Sequence, residues 1–120
     1  MNDNAFLNTL AAVEQPDAGV RRYLDACTSH ITHDDAQLLE RFVHRGDEAP
    51  LIVCSNRDYG WFVHVATEVA DLQEEVKRAL AAGLSEHFTG LLRHAHSLDC
   101  NWVLLDRDAA VLDALPTFDW

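Results

Sequence analysis

Positive charge is what this chain has least of. Nine lysines and arginines stand against twenty aspartates and glutamates, a net charge of −11 with histidine neutral. A field of that sign repels phosphate backbones and anionic lipid surfaces, so neither direct nucleic-acid binding nor membrane binding is expected. The complementary expectation is a basic protein partner, including one that ordinarily grips DNA. Long apolar runs are also missing, and none approaches the ~20 residues that cross a bilayer. The opening MNDNAFLNTL has neither a basic start nor a following apolar stretch. It reads as no export signal and a cytoplasmic location. Cysteine is sparse: Cys27, Cys54 and Cys100 are odd in number and widely spaced, which excludes a disulfide framework or a Cys-x-x-Cys metal pair and leaves reduced core thiols. No repeat, low-complexity tract or long linker breaks the pattern.

What is present suits one globular domain. The 120 residues are 48% hydrophobic and 24% charged, enough to bury a single core. In NDNAFLNTLAAVEQ, Phe6, Leu7, Leu10 and Val13 fall on one side at helical spacing, with Asp3 as a cap. Pro16 suits the first turn of a second helix carrying Val20, Tyr23, Leu24 and Cys27. A short strand is expected over Ser29–Ile31, then a helix capped by Thr32, with Asp34 and Asp35 in its first turn and Gly46 at its end. Leu38, Leu39, Phe42 and Val43 form its apolar stripe. The runs Leu51–Cys54 and Tyr59–Val65 flank SNRD and read as a hairpin, the second run apolar on both faces and so expected to be covered on both. A helical stripe follows through Val69, Leu72, Val76, Ala79 and Leu80 to Gly83, then a helix capped by Ser85 that buries Phe88, Leu91, Leu92 and Ala95. NWVLLD is the last strand.

This order predicts an α+β domain over residues 27–120, preceded by a helical arm over 1–26. The sheet, mixed or antiparallel, has about four strands with helices on one face. The favoured strand order is the ferredoxin-like split βαβ arrangement, in which the hairpin's second strand slots beside the first strand. A differently ordered α+β sheet is the alternative.

Three sets of residues bear on chemistry. His30, His33, Asp34 and Asp35 cluster where strand meets helix, but without a metal-ligand spacing; capping accounts for them, so neither a metal nor another cofactor is expected. Strand alternation would bring His30 onto one sheet face with Phe62 and His64, beside Trp102, Leu104 and Asp106. His30, His64 and Asp106 are thus the candidate acid and base groups, although no nucleophile accompanies them. LDRD sets Asp106 and Asp108 around Arg107, and the closing LPTFDW carries Phe118 and Trp120, two apart. These five are the candidate binding residues, the rings anchoring a tail that, with the arm, can cover the open sheet face.

SHIT at Ser29–Thr32, YGW at Tyr59–Trp61, LDRDA at Leu105–Ala109 and LPTFDW at Leu115–Trp120 together resemble the signature of a bacterial family of unknown function met on plasmids and integrated mobile elements. The likeness spans about residues 27–120. It implies no activity and no catalytic residues, but points to accessory roles of mobile DNA such as countering host defence. The reading that follows is a non-enzymatic binding protein acting through a protein partner. A histidine/aspartate hydrolase and a plain dimerising module are the alternatives.

Overall fold

The computed structural model describes residues 19–120, so the helix read over residues 2–15 lies outside them. Thr32 starts the first helix as its spacing predicts. Its hydroxyl accepts the Asp35 N–H at 3.0 Å while the Asp35 carboxylate takes the Thr32 N–H at 3.2 Å, a reciprocal cap. Helix α1 runs His33–Arg45 and ends at Gly46, whose φ of 59° suits a residue without Cβ. It buries Ala36, Leu39 and Phe42, with Leu38 and Val43 packed alongside. Helix α2, Val69–Ala81, buries Leu72, Val76 and Ala79; Val69 and Leu80, expected on the same stripe, are exposed. Helix α3, Glu86–Ser97, is capped by Ser85 and buries Phe88, Leu91, Leu92 and Ala95.

Asp35 also joins two helices. Its carboxylate accepts the Ser85 N–H at 2.8 Å and the Ser85 hydroxyl at 2.6 Å. One buried acidic group thereby satisfies donors at the starts of both α1 and α3, where the helix dipoles favour negative charge.

The strands are β1 Tyr23–Cys27, β2 Val53–Asn56, β3 Gly60–His64 and β4 Trp102–Asp106. The α+β class holds, and β2 and β3 form the expected hairpin, pairing Val53 with Val63 and Asn56 with Gly60. Three expectations change. Residues 23–27, read as the end of a helix, are an edge strand: Val20, Tyr23, Leu24 and Cys27 fit helical spacing, but a run this short also alternates, and pairing with β4 decides it. Thr28–His30, where a strand was expected to begin, is a 3-10 turn closed by the Ile31 N–H on the Thr28 carbonyl. The sheet order is β1-β4-β3-β2 rather than the favoured one. β4, not β3, lies beside β1, parallel to it and antiparallel to β3.

The sheet has two unlike faces. Ala26, Val53, Val63, Val103 and Leu105 point into the core that the helices fill. Tyr23, Cys54, Phe62, His64, Trp102 and Leu104 point the other way. The described residues leave this second face open: Tyr23 and Cys54 are exposed, and Phe62 and Trp102 are only half-buried. β3 is therefore interior in the sheet but not covered on both sides by the described residues. Cys54 is likewise not a core thiol, unlike the buried Cys27 and Cys100.

Gly60 fixes how closely β3 and β4 meet. A Cβ there would overlap the Leu105 carbonyl, and the residue has φ of 152°. Gly60→Ala is expected to cost about 3 kcal/mol or more in a denaturant titration, because the overlap is with backbone that cannot swing away.

Candidate functional site

The C-terminal ends of β1 and β4 and the start of β3 meet at one end of the sheet, where Asp106 pairs with both Cys27 and Gly60. The chain leaves β4 through a tight turn in which the Asp106 carboxylate accepts the Asp108 N–H at 2.8 Å. The Arg107 N–H is held by the Tyr59 carbonyl at 2.9 Å, and its guanidinium lies 5.2 Å from the centre of the Tyr59 ring. Such stacking is worth about 0.5–1 kcal/mol at an exposed site. LDRD and YGW are thus neighbours through backbone and side chain alike.

The tail then folds back over SHIT. The Leu112 N–H donates to His30 Nε2 at 2.8 Å, and His30 Nδ1 donates to the Pro116 carbonyl at 2.8 Å. The Phe118 N–H meets the Ser29 carbonyl at 2.7 Å, and the Trp120 indole N–H meets the Ile31 carbonyl at 2.8 Å. Trp120 stacks on His33 with ring centres 5.4 Å apart, and Phe118 sets its ring edge-on to His87 at 4.9 Å. Leu112 and Leu115 pack against the core. The tail therefore lies at the sheet end, against the 3-10 turn and the helices, and does not cover the open face.

A cleft of about 290 Å³ is lined by Tyr59, Gly60 and Trp61 of YGW, Arg107 of LDRDA and Trp120 of LPTFDW, together with Thr28, Glu40, Arg57 and Asp58. The Trp61 indole N–H is held by Glu40 at 2.9 Å, so the orientations of both tryptophans are fixed by hydrogen bonds. Neither Arg57 nor Arg107 forms an ion pair among the described residues. The cleft carries the guanidinium groups of Arg57 and Arg107 and the carboxyl groups of Glu40 and Asp58, while Asp108, Asp113 and Asp119 are exposed on the turn and the tail. Asp106 is half-buried.

The three candidate acid and base groups are not assembled. Asp106 and His64 are on the same face, as alternation predicts, but at opposite ends: His64 pairs with Trp102, four residues or about 13 Å along β4 from Asp106. His30 is off the sheet, 2% exposed, with both ring nitrogens committed to the tail. Asp35 is spent on the two caps, and among the described residues no three His, Cys, Asp or Glu are grouped to hold a metal ion.

Glu75 is the group the sequence reading missed. It is buried on α2, accepts the Ala66 N–H at 3.0 Å, and takes a hydrogen bond from His64 Nδ1 at 2.9 Å. The signal was an acidic residue on an apolar stripe, three after Leu72 and beside Val76.

His30 holds the tail in a way that fixes its proton. A ring that accepts at Nε2 and donates at Nδ1 is the Nδ1–H tautomer. Long-range nitrogen–proton NMR spectra are expected to show that tautomer at His30. His30→Ala should cost about 2–3 kcal/mol, since it empties the space of a side chain that is 2% exposed and leaves the part-buried Leu112 N–H and Pro116 carbonyl without their partner. It should also speed hydrogen exchange at Leu112 and Phe118; unchanged exchange there would mean the tail is held without His30.

No curated protein and no solved structure matches the chain. A family model does, described as a family of unknown function (DUF5983), C-terminal domain, over residues 23–120. The match begins at Tyr23, the first residue of β1, and so takes in the edge strand as well as all four signature phrases. With the match running from that edge strand to the pinned tail, the chain belongs to the DUF5983 family of unknown function through its C-terminal domain.

Proposed function

We propose that this domain is a non-enzymatic binding protein that acts in the cytoplasm through a basic protein partner, which reads the carboxylates displayed at the sheet end. The observation that carries this reading is the pinned tail. Loose carboxylates would have to be ordered on binding, at about 0.5–1.5 kcal/mol per immobilised side chain, whereas a backbone already fixed by His30, Ser29 and Ile31 avoids part of that cost. The net charge of −11 steers a basic partner toward the molecule. The cleft then supplies register, with Arg107 held on Tyr59 and both tryptophans oriented to receive one partner side chain. A DNA-gripping protein as that partner extends this reading and rests on the net charge of −11, and an accessory or counter-defence role in mobile DNA rests on the signature phrases alone.

The test is capture on the immobilised chain. Asp108→Asn with Asp113→Asn and Asp119→Asn should weaken capture of the basic partner by about tenfold, most at low salt, with the fold intact because all three side chains are exposed. Removing residues 116–120 should lower both melting temperature and capture. Capture indifferent to salt and to the triple substitution would remove the electrostatic reading.

The buried partner of His64 favours a second reading, general acid–base chemistry. Glu75 engages Nδ1, leaving Nε2 as the nitrogen available for proton transfer, beside a groove of about 670 Å³ lined also by Glu68, Asp71 and Arg78. A hydrolase screen would support it if some substrate were turned over by the chain and spared by His64→Gln. Turnover equal in the two proteins, or none in either, would dismiss it.

A further inference from the structure

Two guanidinium groups reach the sheet-end cleft from separate turns, Arg57 from the β2–β3 hairpin and Arg107 from the turn after β4. Neither is tied to a carboxylate among the described residues. Arg57 is strained where it stands. The hairpin turn closes through the Tyr59 N–H on the Asn56 carbonyl at 3.0 Å and sets Arg57 at φ of 51°, a conformation that glycine or asparagine adopts with less strain. The turn itself has no use for a long cationic side chain, and strain of this kind gathers at ligand-binding positions. The rings of the cleft are prepared in a complementary way. The indole N–H of Trp61 is taken by Glu40 and that of Trp120 by the Ile31 carbonyl, so what both offer a ligand is ring surface rather than a donor. Trp120 is 53% exposed although it stacks on His33, and Tyr59 is 41% exposed although it carries Arg107. At about 290 Å³ the cleft is near the lower end of small-ligand pockets, on the order of 300 Å³.

We propose that the cleft binds a small aromatic carboxylate, its planar ring against the tryptophan and tyrosine rings and its carboxylate on the guanidiniums of Arg57 and Arg107. A guanidinium matches a carboxylate with two parallel hydrogen bonds, and a ring stacks on a ring without needing a donor. A single negative charge suits the site better than a phosphate dianion. Glu40 is engaged by Trp61, which leaves two cations and Asp58 to meet the ligand, one positive charge in excess. The net charge of −11 opposes each further negative charge. That opposition is screened over ~10 Å at 0.1 M salt, whereas the guanidiniums act at contact. The inference does not rest on the partner reading, whose test substitutes Asp108, Asp113 and Asp119; none of these three is among the residues lining the cleft.

The probe is indoleacetate, titrated into the isotopically labelled full chain while the indole N–H signals of Trp61, Trp102 and Trp120 are followed by NMR. A saturable shift is expected at Trp61 and Trp120, with Trp102, on the open sheet face, as the internal control. Indoleacetamide, which has the ring without the charge, should bind roughly tenfold or more weakly, and acetate, which has the charge without the ring, should not saturate the signals. Arg57→Gly should weaken indoleacetate by roughly tenfold or more and leave the melting temperature unchanged or higher, since glycine takes φ of 51° without strain. Equal affinity for the acid and the amide would overturn the proposal. So would an Arg57→Gly chain that binds the acid unchanged, or an unaltered chain whose Trp61 and Trp120 signals never saturate. Should Arg57→Gly unfold, the comparison of acid with amide on the unaltered chain decides alone.

Discussion

β4 is the last strand in the chain and an interior strand of the sheet. It pairs in parallel with β1, some eighty residues earlier, and antiparallel with β3. Without it β1 has no partner, and the hairpin is a two-stranded ribbon of marginal stability. Its direction also decides where the tail goes, because a strand running parallel to β1 must end where β1 ends, beside the 3-10 turn that carries His30. Gly60 sets the other side of the junction by letting β3 close on the Leu105 carbonyl. The sheet-end cleft is a consequence of this one insertion.

Buried polar groups work in the same direction. His30, Asp35, Glu75 and Thr89 are the polar or charged residues buried among those described, and each is hydrogen-bonded. Asp35 ties α1 to α3, Glu75 ties α2 to the end of β3, and His30 ties the tail to the turn after β1. Each links segments that hydrophobic packing alone would allow to slide, because apolar contact is non-directional whereas these bonds accept one geometry. Apart from Asp35 and Glu75, the acidic residues among those described stand exposed or half-buried at the surface.

Among the described residues, the sheet end and the open sheet face differ in kind. The sheet end is polar, ordered by hydrogen bonds and set about with carboxylates, which suits recognition by charge and register. The open face carries a row of rings that meet edge-on, with few polar groups among them. They adjoin: Phe62, opposite Leu104, lies two residues along the strands from Asp106.

The sequence by itself determined most of the local structure. Thr32 with Asp35, Ser85 and Gly46 marked helix ends because a cap needs only residues three or four apart, and alternation in β3 and β4 sorted core-facing from open-face residues because strand geometry has period two. It also located the phrases that meet at the site, Arg107 and Trp120 among them. Tertiary structure alone decided the rest. Residues 23–27 became a strand only because β4 was there to pair with them, and the strand order followed from that pairing rather than from any local pattern. The catalytic-looking trio was dispersed because face and end are separate coordinates: alternation gives the first, while register and strand direction give the second. Glu75 found His64, and His30 found the tail, across eleven and eighty-six residues respectively. Spacing in sequence carries no record of such contacts, because the distance between the partners is set by the folded path and not by the chain between them.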